Sequence, residues 1–120
     1  MTQDYIKLTL LNKLQKLHNE IEQKLIILQD LKFVADKIML DNSVIKKINY
    51  YVVQFTDLQK QQLNISQNIC QNQNVNAKEV NKLCSAFNSL QNKTDILRND
   101  IVGKLYLART SNCQPQQSQK

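Results

Sequence analysis

The sequence predicts an all-α protein: a long helical hairpin plus a third helix, forming a coiled-coil or helical-bundle subunit. Two observations carry that reading. The 120-residue chain contains one glycine, Gly103, and one proline, Pro115. Corners in sheet proteins and loop-rich enzymes need such residues repeatedly, so this chain has few corners. Its apolar residues also recur at heptad spacing through three separate stretches.

The first stretch is Leu10, Leu14, Leu17, Ile21, Leu25, Leu28, Leu31, Val34 and Ile38, with a mean step of about 3.5 residues, the coiled-coil period. It predicts a helix over about 4–40. Asp41-Asn42-Ser43 then breaks the pattern, and residues of this kind favour N-caps and turns. The seam resumes as Val44, Ile48, Tyr51, Phe55, Leu58, Ile65 and Ile69, stepping seven residues across the polar Gln62. This predicts a second helix over 43–71.

Residues 72–76 form the second break, and Asn76 with Glu79 three residues on resembles a capping box. A third helix follows over 77–109 on Val80, Leu83, Phe87, Leu90, Thr94, Leu97, Ile101, Leu105 and Ala108, with Gly103 weakening its end. The domain is thus residues 1–110. Residues 111–120, rich in Gln and holding Pro115, are expected to be a disordered polar tail.

Ile26, Ile27, Phe33, Tyr50 and Val53 fall outside the heptad seams. A lone three-helix bundle would leave some of them wet, and exposed apolar surface marks a site for a partner. An obligate hetero-oligomer is expected, with Leu14, Leu17, Ile21, Leu25, Leu28, Val44, Ile48, Val52 and Phe55 as the partner-binding seam.

The formal net charge is +6, but the lysines are interspersed with acids and arginine occurs only as Arg98 and Arg109. Phosphate binding needs clustered cations, so direct nucleic-acid binding is not expected. Cys70, Cys84 and Cys113 are too few and too scattered for a disulfide framework, and fit reduced thiols. With His18 the single histidine, no metal and no cofactor are expected.

Catalysis is not expected either. One glycine excludes a phosphate loop. A nucleophile–base pair could be drawn only from His18 and Cys84, and Glu20 and Glu22 diverge on a helix. No apolar run approaches 18 residues, and the N-terminus has an early acid and no basic region. Neither a membrane span nor a signal peptide is therefore expected.

Two segments go beyond a generic heptad. One is Leu14-Gln-Lys-Leu17-His-Asn19-Glu20-Ile21-Glu22-Gln-Lys-Leu25, followed by Ile27-Leu28-Gln29. The other is Ser43-Val44 with Val52-Val53-Gln54-Phe55. Together they resemble the subunit 11 family of the Mediator of RNA polymerase II transcription. In that family a Leu-x-x-Leu helix continues into Asn/Asp-acid-Ile-Glu and a leucine run, and the second helix has a Ser-Val start and a Val-x-Gln-Phe step. The Ile-Glu pair is displaced here by one residue, and the resemblance covers about the first 60 residues.

The resemblance implies a nuclear, architectural coactivator subunit. It would form a helical heterodimer with Mediator subunit 22, in a four-helix bundle docked on subunit 17. Ala77-Lys78 with Val80, Leu83 and Phe87 is similar instead to the cappuccino-like member of complexes that build or position lysosomes and related organelles. The cytoplasm is the alternative place, and a further alternative is a lineage-specific coiled-coil subunit of another assembly, cytoskeletal or mitochondrial.

Overall fold

The computed structural model describes residues 2–71 and 77–118, with side chains described over 4–71 and 77–109. Three helices account for nearly all of them: α1 (Thr2–Lys37), α2 (Asn42–Gln71) and α3 (Ala77–Ser118). At 1.5 Å per residue they run about 54, 45 and 63 Å. They lie side by side in a rod of 77 × 22 × 17 Å.

Helix α2 turns back along α1, which packs against it more closely than against α3. Helix α3 runs parallel to α1, as two cross-contacts show. Lys13 Nζ donates to Asn81 Oδ1 at 3.1 Å, and Lys24 Nζ lies 3.8 Å from Asp95 Oδ1. Because α3 starts near the level of α1's second turn and is six residues longer, its C-terminal end passes beyond the hairpin turn.

The core is one heptad seam per helix. From α1 come Leu10, Leu14, Leu17, Ile21, Leu28, Leu31 and Ala35. From α2 come Val44, Ile48, Phe55, Leu58 and Ile69, and from α3 Val80, Leu83, Phe87, Leu97 and Ile101. The Phe55 and Phe87 rings meet edge to face at 5.8 Å. Each such side chain taken out of water contributes about 1.5–3 kcal/mol, so the seams are what hold these long helices together.

The structure departs from the sequence reading at four places. The α1 seam ends on Ala35, fully buried, where the periodicity names Val34, which is half-buried. The α2 seam does not skip Gln62, which is 3% exposed and occupies the heptad position between Phe55 and Ile69. Helix α3 continues to Ser118, past the expected end at 109 and through the segment expected to be a disordered tail. Gln is a good helix former, which favours propagation, but Pro115 lies inside this last stretch and costs an interior helix about 3 kcal/mol, so residue propensity alone does not account for the extension. The expected Asn76 cap lies outside the described residues.

The fourth departure is the end of α1, at Lys37 rather than residue 40. Met39 takes a left-handed conformation, φ 57°. Leu40 N donates to Ala35 O at 2.9 Å and Met39 N to Asp36 O at 3.2 Å. This is the Schellman pattern of helix termination, which usually carries glycine at that position. Asp41 O then accepts from Val44 N at 3.0 Å to open α2.

A side chain at positive φ costs roughly 1–2 kcal/mol, and Met39 is 89% exposed, so its side chain returns little packing. Met39→Gly is therefore expected to raise stability by about 1 kcal/mol in a urea melt. A lower midpoint would count against this turn geometry.

Candidate functional site

Seven of the nine residues expected to bind a partner lie inside the chain's own core. Leu14, Ile21, Ile48 and Phe55 are 0% exposed, Leu17 and Leu28 are nearly so, and Val44 is buried beside the turn. Their neighbours are this chain's own helices, so the seam is occupied in cis. The remaining two, Leu25 and Val52, are half-buried and pack against the edge of that core.

Those two share a face. His18, seven residues before Leu25, reaches α2: its Nδ1 lies 3.2 Å from Gln62 Oε1. Gln62 Nε2 in turn donates to Ser66 Oγ at 3.1 Å, and Ser66 is two heptads beyond Val52. His18 and Leu25 therefore line the α1 side of an outer α1–α2 face, and Val52 and Ser66 the α2 side. Helix α3 covers the opposite side of the hairpin.

The middle of this face is polar. His18 Nε2 lies 2.7 Å from Glu22 Oε1, so Glu22, His18, Gln62 and Ser66 form a chain across it. This linkage gives the buried Gln62 amide partners for both its oxygen and its nitrogen, which a polar group in a seam requires. Toward the hairpin turn the face becomes apolar. Ile26 is 58% exposed, Phe33 63% and Val53 55%. Ile26 and Phe33 are two turns apart on the back of α1, and Lys37 Nζ sits 5.2 Å from the Phe33 ring centroid. Ile45, one heptad before Val52, adds a half-buried apolar side chain.

A second exposed apolar site lies on the α2–α3 side. Tyr50 stacks edge to face on Tyr51 at 5.5 Å, and both line an open groove with Leu58, Leu90 and Lys93. Ile96, one turn past Lys93, is 71% exposed. The groove continues along α2 and α3 past Ile65 and Leu83, edged by Gln61, Asn64 and Asn68.

No family model, curated protein or solved structure matches the chain.

The groups considered for chemistry are kept apart. His18 turns toward α2, whereas Cys84 lines the α1–α3 groove with Leu17 and Phe87. Glu22 pairs with His18, while Glu20 faces that other groove. Cys70 and Cys84 are free thiols. Among the described residues, no group of three or more His, Cys, Asp or Glu side chains is placed to hold a metal ion. No described helix is long and apolar enough to cross a membrane.

Of the apolar residues outside the heptads, Ile26, Phe33, Tyr50 and Val53 are exposed and Ile27 packs against the core. The apolar surface left in water is thus made by residues that break the repeat, not by those that make it.

Proposed function

We propose that the chain is a non-catalytic, architectural subunit that works by packing its bundle against other helical proteins. The observation that supports this is the solvent exposure of Ile26, Phe33 and Val53 on a bundle whose own seam is already filled. Large apolar side chains clustered in water mark a protein contact. Tyr50 and Ile96 add a second such place on the α2–α3 side, so the chain is built for more than one neighbour.

The assembly favoured by the likeness of the α1 and α2 segments is the Mediator head module, with subunits 22 and 17 as helical partners and the nucleus as its place. The alternative is a complex for building or positioning lysosomes and related organelles.

Affinity capture of the full chain with mass spectrometry separates these readings by which subunits are recovered. The surface assignment is tested in the same experiment with the pairs Ile26→Lys/Phe33→Glu and Tyr50→Glu/Ile96→Lys. All four positions are exposed, so each pair is expected to leave helicity intact and change stability by no more than about 1 kcal/mol. At least one pair is expected to cut partner recovery about tenfold or more, as loss of anchors at an interface centre does. Full recovery with both pairs would show that the bundle docks through neither face.

A further inference from the structure

We infer that the end of α3 beyond Gly103 is a binding arm, whose apolar turn seats in a groove of a foreign protein bordered by acidic side chains. This rests on the reading of the chain as an architectural subunit and adds a contact distinct from the two faces of the bundle.

The register of the bundle places the arm outside it. Lys13 meets Asn81 and Lys24 lies beside Asp95, offsets of 68 and 71 residues. Lys37, the last residue of α1, therefore lies level with residues 105–108 of α3. Gln62 lies level with His18, which sets the start of α2 at the same end, near Ile38. From there to Ser118 no described helix of the hairpin runs beside α3. Burial changes at the same place. Ile101 is the last buried side chain among those described. After it Lys104, Tyr106, Leu107 and Arg109 are exposed, and Leu105 and Ala108 are half-buried. A Cβ at Gly103 would meet nothing within 4 Å, so no contact of the bundle calls for a glycine there.

A helix of this length without tertiary packing is marginal in water. Gly103 weakens it at one end, and Pro115 removes a hydrogen bond within it. The helical arm therefore needs a second surface, and its residues describe that surface. Leu105, Tyr106, Leu107 and Ala108 follow one another at about 100° per residue, so they ring the whole circumference for one turn. A helix that is apolar all round is a buried one. A helix lying on a membrane needs one apolar face and one polar face instead. The ring thus fits a groove that wraps it, as in helix-in-groove recognition.

The charges name the border of that groove. Lys104 and Arg109 close the ring at its two ends, about 7.5 Å apart along the axis. No acid occurs from Ile101 to Lys120, where the charges are Lys104, Arg109 and Lys120. Lys104 has Asp100 of its own helix at 3.3 Å, an exposed pair that a partner carboxylate can join. Complementary potential requires carboxylates at both ends of the groove. The chain's own grooves do not supply them. Lys13 and Lys16 flank Glu20 between α1 and α3, and Lys82 and Lys93 accompany Glu79 between α2 and α3. A second copy is therefore not the occupant.

The test uses the full chain and two arm variants, Tyr106→Asn/Leu107→Asn and Lys104→Glu/Arg109→Glu. Hydrogen exchange by mass spectrometry is measured on the purified chain and on its captured complex. In the purified chain the amides of 104–118 are expected to exchange about tenfold or more faster than those of 80–101. In the complex they are expected to slow by about tenfold or more. A carbodiimide, which joins an amine directly to a carboxylate, is expected to link Lys104 to an Asp or Glu of the partner. Each variant is expected to melt like the natural chain and to recover about tenfold less of that cross-linked partner.

Arm amides as protected in the purified chain as those of 80–101 would overturn the proposal, because the bundle would then hold the arm. So would full recovery of every partner with both arm variants. Binding to phosphatidylserine vesicles that both variants abolish, with protein capture unchanged, would assign the arm to a membrane and overturn it as well. If capture survives both arm variants but falls with Ile26→Lys/Phe33→Glu or Tyr50→Glu/Ile96→Lys, the arm fails and the architectural reading stands. Full recovery with all four variants would overturn both.

Discussion

Ile21→Asp is expected to unfold the chain rather than release it from partners. Ile21 is fully buried between this chain's own helices. A carboxylate there must either lose its hydration or bind a proton, and both cost several kcal/mol. A domain of this size has only about 5–15 kcal/mol of total stability. The measurement is a thermal melt followed by far-ultraviolet circular dichroism, with Ile26→Asp as the comparison. Ile26 is five residues away but faces solvent, and its replacement is expected to shift stability by less than about 0.5 kcal/mol. If Ile21→Asp melted like the natural chain, the seam would not be closed in cis.

Phe55→Ala is expected to cost about 3–5 kcal/mol, the usual range for a large ring removed from a closed core. Phe55 is among the largest fully buried side chains, and Phe87, its edge-to-face neighbour, is buried on α3. The pair therefore joins α3 to the hairpin. A double-mutant cycle with Phe87→Ala is expected to show a coupling of about 0.5–1.5 kcal/mol beyond the area buried. Additivity of the two replacements in urea melts would mean that the rings do not touch in solution. It would also place α3 differently against α2.

The helices could be read from the sequence because their apolar spacing is strong and their interruptions are polar. Three features escaped that reading, each for a physical reason. Gln62 looked like a gap because polarity argues for the surface, and its burial depends on Ser66 one turn on and on His18, which a distant stretch of the sequence supplies. Met39 gave no stop signal because helix ends of this form usually carry glycine. The choice between a seam filled in cis and one filled in trans was not legible at all. A heptad records that Leu14 and Phe55 are covered, and the same leucines serve whichever chain supplies the cover. The exposed apolar surface was half visible: Ile26, Phe33, Tyr50 and Val53 stood out as misfits, but their grouping on two faces required the hairpin.

Gln62 also limits how the hairpin can be assembled. Leucine repeats tolerate sliding, because a seven-residue slip replaces one aliphatic contact by another. If α2 slipped along α1 by one heptad, the amide would move from His18 to Leu11 or Leu25, neither of which has a polar group to offer. Its nitrogen would keep Ser66 on its own helix, but a buried amide oxygen left without a partner costs about 1–3 kcal/mol, enough to disfavour the slipped alignment by roughly tenfold or more. A single polar rung therefore acts as an index mark on an otherwise repetitive ladder. Every residue later in the hairpin, the borders of its outer face included, inherits its height from that mark.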